Sequence, residues 1–441
     1  MLYKGMISMM KSGFARMTGV VSVAAVLLSG CTGAGGNEKQ GASAGNAGQK
    51  VTLKAIMEQV PDSDIVKKMV ADFNKENPNI DVNIEMLPYD QIRDKIVTSF
   101  LAPSATYDLI VVDNPWMNDF ASAGYLEPLE ERVKAAGADY NYQDFSAPLR
   151  GIGEVNGHTY GIPFYNYALG LIYRKDLFEK QGLKPPSTLA ELRQDAKLLT
   201  TGDQAGLAMQ PQRGYKIFEE WANWLYAAGG AIQDNAGKIT LNSPQAREAL
   251  TQYIQTYKES APKDSLNWGF DEALRAVSGG KAAMMLSYNW MLPALNDKGG
   301  QAGDLAGKFG LAEVPGGKSV LGAWYWSIPA NTKNKEQVWS FIKWITSPQH
   351  EKQRVIAGGA PVRNSAMDDS EVQQKGFGVE YYKTVKAILK NAAPLGNSLN
   401  AEEMVQTVGT ELSQAVSGQK SVDQAIADAD KEAKDIINAK K

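Results

Sequence analysis

Gly161-Ile-Pro-Phe-Tyr-Asn-Tyr-Ala-Leu-Gly-Leu-Ile-Tyr-Arg-Lys-Asp-Leu-Phe-Glu-Lys-Gln-Gly-Leu-Lys-Pro-Pro-Ser-Thr-Leu-Ala-Glu-Leu192 is the stretch whose reading decides the fold. Its apolar segment Leu169–Tyr173 shows no alternation, which predicts a strand buried on both faces. Asp176-Leu-Phe-Glu179 has the spacing of a capping box and predicts a short helix. Gly182 ends that helix, Pro185-Pro186 block its continuation, and Thr188-Leu-Ala-Glu191 caps the next. Ahead of the strand, Pro163-Phe-Tyr165-Asn166-Tyr167 places three aromatic rings and an amide on a segment that crosses between two lobes.

Upstream of this stretch the pattern alternates strand and helix. Val51–Met57 reads as a strand, Asp64–Glu76 as a helix, and Ile80, Val82, Ile84 and Met86 as an alternating strand. A helix over Tyr89–Leu101 and a buried strand at Asp108–Val112 complete an α/β lobe. Ligands in open α/β sheets bind at the carboxyl ends of the strands. That rule selects Glu58 and Gln59 after the first strand, and Asp113, Asn114 and Trp116 after the third. Loop polarity with one core tryptophan would explain the same residues. Asn156-Gly157 predicts a type I′ hairpin.

Downstream, Gly206–Met209 reads as a strand and Lys216–Ala228 as a helix carrying Trp221 and Trp224, with Ser243-Pro244 starting another. Trp221 and Trp224 share a helix face, where core packing explains them as well as ligand stacking; Trp290, in a loop, is the better platform. Phe309–Glu313 and Pro315-Gly-Gly317 read as a second crossing. In Trp324-Tyr325-Trp326 the two tryptophans point to one side of a strand and the tyrosine to the other, so at least one ring belongs to a core. The helix Lys335–Thr346 places Trp344 on its inner face.

Several phrases in this order resemble the sugar-binding lipoproteins that feed ABC importers, the broad family that includes maltose-binding protein. They are Phe73-x-Lys-x-x-Pro78-x-Ile-x-Val82, Tyr107-Asp-Leu-Ile110, Gly124-Tyr-Leu-Glu-Pro128, Gly229-Gly-Ala-Ile232 with Leu241-Asn-Ser-Pro244, Gly279-Gly-Lys-Ala-Ala-Met-Met285, Gly358-Gly-Ala-Pro-Val-Arg363 and Ser417–Ala425. The resemblance implies a two-lobe α/β fold of the periplasmic-binding-protein type (type II), with three crossings and a ligand cleft at the hinge. It places the first lobe at residues 51–164 and 316–362, and the second at 165–315 and 363–441. The implied ligand-binding set is Glu58, Gln59, Asp113, Asn114, Trp116, Tyr165, Asn166, Tyr167, Trp224, Trp290, Trp324, Tyr325, Trp326 and Arg363. The implied partners are a carbohydrate ligand and ABC permease subunits with a separate ATPase; the protein itself is expected to be a monomer without a cofactor. Aromatic faces suit the C–H faces of a sugar, and planar polar forks suit its hydroxyls.

The amino terminus is read as a leader. Lys4, Lys11 and Arg16 precede an uncharged apolar run, Met17–Leu28, too short for a comfortable membrane span. Leu28-Ser-Gly-Cys31 resembles a lipobox, so residues 1–30 are expected to be removed and Cys31, the only cysteine, to carry lipid on the outer face of the cell membrane. Thr32–Lys50 reads as a flexible tether. Gly41-Ala-Ser-Ala-Gly45 matches a hydrolase nucleophile elbow but lacks the flanking strand and helix.

Composition narrows the chemistry. The net charge of −3 and the absence of a basic stripe argue against nucleic acid. Two histidines, His158 and His350, are too few and too far apart for a zinc site, and there is no phosphate loop. A glycosidase needs only two carboxylates, so that alternative stays open, as does a non-sugar ligand or a role beside a sensor kinase.

Overall fold

The computed structural model describes residues 50–234 and 237–439. The leader, Cys31 and the tether lie outside the described residues. Thirteen strands follow one another among the described residues: β1 (Val51–Glu58), β2 (Ile80–Leu87), β3 (Leu109–Asp113), β4 (Glu154–Val155), β5 (His158–Thr159), β6 (Ile162–Asn166), β7 (Leu169–Arg174), β8 (Ala205–Ala208), β9 (Ala282–Tyr288), β10 (Phe309–Ala312), β11 (Val320–Leu321), β12 (Ala323–Ser327) and β13 (Ala393–Pro394). Two main sheets result. One has the order β2-β1-β3-β12-β6, the other β10-β7-β9-β8.

Each sheet organises a separate core, and helices pack on both. The first core draws on residues from Leu53 to Ala168 and from Leu321 to Leu389. Residues from Leu169 to Val320 and from Leu395 to Ala433 build the second lobe. The chain therefore crosses first between β6 and β7, then between β10 and β12, and last between Lys390 and Leu395. β11 and β13 pair in parallel beside the last two crossings.

This corrects the expected third crossing at Arg363. The helices Asn364–Asp368 and Val379–Lys390 pack into the first core through Ala366, Met367, Tyr381, Val385, Ile388 and Leu389. The stretch before Arg363 is held within this lobe: the Ala360 N–H donates to Asp62, and the Ala360 carbonyl accepts from Arg354 Nη2 at 2.7 Å.

Local signals act as their chemistry dictates, with one exception. Thr188 and Glu191 form a reciprocal capping box, Ser243 caps the helix Pro244–Ser260, and Asn156 and Gly157 take positive φ in the hairpin between β4 and β5. Asp176 caps nothing. Arg174 Nε and Nη2 each bond its carboxylate at 2.7 Å, and this charge-assisted fork displaces the box.

Candidate functional site

The carboxyl ends of β1, β3 and β6 from the first lobe face the end of β9 and the start of the helix Tyr215–Ala227 from the second. Asp113 is the centre. It is 1 % exposed and ends β3, where its Oδ1 accepts the Asn114 N–H at 2.9 Å and so caps the following helix. Tyr167 OH donates to Asp113 Oδ1 at 2.6 Å and lies 2.7 Å from Asn114 Oδ1, while Tyr89 OH donates to Asp113 Oδ2 at 3.0 Å. Beside it, Tyr165 OH donates to Glu58 Oε2 at 2.6 Å.

The second lobe supplies Tyr215, Lys216, Glu219 and Tyr288. Lys216 Nζ bonds Glu219 Oε2 at 3.0 Å and the Tyr288 hydroxyl, and lies 5.2 and 5.0 Å from the ring centres of Tyr215 and Tyr288. Rings meet across the cleft: Tyr89 lies 6.5 Å from Tyr215, and Tyr167 lies 5.6 Å from Tyr288 in an edge-on contact. Trp324 stacks on Tyr165 at 6.3 Å, and its edge meets Trp116 at 5.2 Å. Trp290 stacks on Tyr288 at 5.8 Å and also lines a recess of about 500 Å³ with Pro61, Asp62, Asn296 and Phe377.

The electrostatics follow from burial. Desolvation raises Glu58 to about 6, although the Tyr165 hydroxyl and Lys216 pull it back. It raises Asp113 well above the usual carboxylate range, against the Tyr167 bond and with help from the charge of Glu58. Burial alone would lower Lys216, but Glu219 and Tyr288 outweigh it and push the ammonium up. One oxygen of Glu219 and the indole N–H groups of Trp116 and Trp290 are buried with no partner among the described residues. The site thus offers donors, acceptors and aromatic faces to a polar solute.

The structure separates the expected residues into two groups. Glu58, Asp113, Asn114, Trp116, Tyr165, Tyr167, Trp290 and Trp324 come together, and Gln59 lies exposed at the end of β1. Five do not reach the cleft with a free group. Trp224 is 0 % exposed against Tyr253 in the second core. Tyr325 OH donates to Leu149 O at 2.9 Å in the first core. Trp326 packs on Phe164 at 4.4 Å and Phe341 at 5.8 Å. Arg363 is 0 % exposed, and its guanidinium bonds the carbonyls of Tyr140, Asn141 and Thr346. Asn166 is fully buried with its amide engaged by protein groups.

Tyr89, Tyr215, Lys216, Glu219 and Tyr288 were missed. Tyr89 follows β2 and Tyr215 follows β8, so the strand-end rule applied to every strand would have found them.

Comparison with known proteins agrees with this architecture. The model of the family described as bacterial extracellular solute-binding protein matches residues 58–352, and the chain belongs to that family. A putative binding protein of Brucella abortus (strain 2308) is 27% identical over 283 residues, which cover 62% of this chain and 66% of that protein. The chain thus spans about two thirds of that relative's length. The mannitol-binding protein of Pseudomonas aeruginosa is 27% identical over 380 residues, covering 81% of this chain and 86% of that protein. The crystal structure of an ABC transporter solute-binding protein from Agrobacterium radiobacter K84 in complex with ribitol is 29% identical with a TM-score of 0.78, covering 88% and 98% of the two chains. The fold is accordingly the two-lobe periplasmic-binding-protein fold, in a family of ligand-binding transport proteins that act outside the cytoplasm. No helix among the described residues is long and apolar enough to cross a membrane.

Proposed function

We propose that this chain is the solute-capturing subunit of an ABC importer for a sugar alcohol, a sugar or a short oligosaccharide. The observation that carries the reading is the meeting, from two lobes, of the rings of Tyr89, Tyr167, Tyr215, Tyr288 and Trp324 around the carboxylates of Glu58, Asp113 and Glu219. Glu58, Asp113, Asn114, Trp116, Tyr165, Tyr167, Trp290 and Trp324 are the ligand-facing set, joined by Tyr89, Tyr215, Lys216, Glu219 and Tyr288. The lobes close over the ligand, and the closed form is presented to a permease with its own ATPase. The chain acts as a monomer, performs no chemistry on its cargo, and is held at the outer face of the cell membrane by lipid on Cys31. Mannitol and ribitol in the similar proteins support a polyol first.

Thermal unfolding against a panel of polyols, monosaccharides and oligosaccharides tests this. A cognate ligand at about 100 times its dissociation constant adds roughly 2.7 kcal/mol of stability. One carbohydrate class that raises the melting temperature and is recovered unaltered is the expected result. A ligand that is consumed would move the hydrolase alternative forward.

The cleft carboxylates also set a pH dependence. Glu58 sits at about 6 where it is buried in the cleft, against 4.5 for a free glutamate, and closure of the lobes deepens that burial. The closed form therefore holds the proton more tightly than a hydrated open form, and proton uptake favours closure. Affinity is expected to rise as the pH falls from about 6 towards 4.5 through Glu58, with Asp113, raised in the same direction by burial, adding to the effect. Titrations at pH 5, 6 and 7 check it; affinity that falls on acidification would show that the ionised form of Glu58 is required.

A further inference from the structure

We propose that Asn166 and Asn289 form a hinge clasp that sets the angle at which the lobes close, and that neither side chain touches the ligand. The proposal rests on the capture reading above. Both residues are 0 % exposed. Asn166 is the last residue of β6, immediately before the first crossing. Its Nδ2 donates to Pro361 O at 2.8 Å in the first lobe. Its Oδ1 accepts from the Ala168 N–H in the crossing at 3.3 Å and from Asn289 Nδ2 in the second lobe at 2.6 Å. Asn289 in turn grips the crossing, with its Nδ2 3.0 Å and its backbone N–H 3.1 Å from Ala168 O. One amide therefore ties together three segments that must reorient when the lobes move.

The requirement is specific to an amide. The position must donate to a carbonyl and accept from two N–H groups at once, which neither a carboxylate nor an aliphatic side chain does. The carbonyl of Pro361 on one side and the N–H of Ala168 on the other also fix which way round the amide sits.

The two ends of the clasp differ in stiffness. Pro361 lies between Ala360, held by Asp62 and Arg354, and Val362, whose N–H donates to Glu351 Oε1 at 2.8 Å. All three of those charged residues are buried, so Pro361 is a fixed point of the first lobe. At the other end, Asn289 stands between Tyr288 and Trp290, and Asn166 stands between Tyr165 and Tyr167. Any change in the clasp is transmitted to four rings that face the cleft. Asn166 and Asn289 are positioning residues, acting on the ligand through their neighbours.

A double-mutant cycle tests this, with two readouts: the dissociation constant for the best-binding polyol or sugar, and the melting temperature of the unliganded protein. Asn166→Ala and Asn289→Ala should each weaken binding about tenfold, roughly one good hydrogen bond. The double variant should also lose about tenfold, since either change alone dismantles the clasp. Variants that melt earlier yet bind as wild type would assign the pair a structural role only and overturn the proposal. A double variant weakened about a hundredfold would mean independent contributions, as for two ligand contacts, and would also overturn it. If Asn289→Ala does not fold, Asn289→Ser takes its place in the cycle with the same expectation. A wild-type protein that binds nothing in the panel overturns the capture reading and the clasp together; binding with an additive cycle overturns the clasp alone.

Discussion

Arg354→Ala is expected to lower the unfolding free energy by about 3–5 kcal/mol at pH 7, the usual cost of removing one partner from a buried ion pair. Arg354 is 1 % exposed and lies between Asp62 and Glu351, themselves 4 % and 1 % exposed. Its Nη2 bonds Glu351 Oε2 at 2.9 Å, its Nη1 bonds Asp62 Oδ1, and the fork also accounts for the carbonyl of Ala360. Without it, two carboxylates remain in the interior with no cation. Desolvation already raises Asp62 to about 6 despite the guanidinium, so in the native protein its charge opposes folding above that pH. The part of that loss that comes from Asp62 lasts only while its carboxylate is ionised. Loss of the guanidinium raises Asp62 further, so the difference between variant and wild type should shrink as the pH falls towards about 6 and level off below it. Urea unfolding at pH 7 and pH 5 measures both quantities. A loss under about 1 kcal/mol, equal at the two pH values, would mean that water enters and hydrates the carboxylates.

Gly322→Ala is expected to weaken ligand binding about a hundredfold or more, roughly 2.7 kcal/mol. A Cβ at Gly322 would lie 1.5 Å from Tyr167 Cε2 and 1.8 Å from its Cζ, so the added methyl and the native ring cannot coexist. The Gly322 carbonyl also accepts the Tyr167 N–H at 2.8 Å, which prevents the two segments from simply sliding apart. The ring must leave its place, giving up Asp113, Asn114 and its edge contact with Tyr288. Stability should fall by only about 1–3 kcal/mol, as for ordinary overpacking. Adding Tyr167→Ala to the variant removes the clash but empties a buried ring site, so affinity should stay low. A Gly322→Ala protein that binds as tightly as wild type would show that Tyr167 is dispensable to the site.

The sequence is legible where structure is determined by neighbours in the chain. The helix Tyr89–Leu101 and the capping box at Thr188–Glu191 follow from periodicity and cap spacing. The strand-end rule selected Glu58, Asp113, Asn114 and Trp116 because it concerns position along a strand. It says nothing about depth. Trp324 and Trp326 are two residues apart, yet one reaches the cleft rings and the other ends between Phe164 and Phe341. Arg363 was unreadable for a related reason. Three carbonyls distant in sequence satisfy its guanidinium, and no local pattern announces them. The Gly358–Arg363 phrase misled because the resemblance implied a crossing where Ala360 is held inside the first lobe by Asp62 and Arg354.

Strand order in the first sheet bears on the chain before it has folded. β12 fills the space between β3 and β6, although it is made only after the whole second sheet has been specified. Until residues 323–327 are available, β3 and β6 are two unpaired edges with a gap between them. Pairings so distant in sequence close slowly. A chain emerging from its amino end thus cannot complete its first lobe early. That delay lasts until the second sheet has been made. It also leaves two strand edges exposed to wrong partners for as long as the gap lasts.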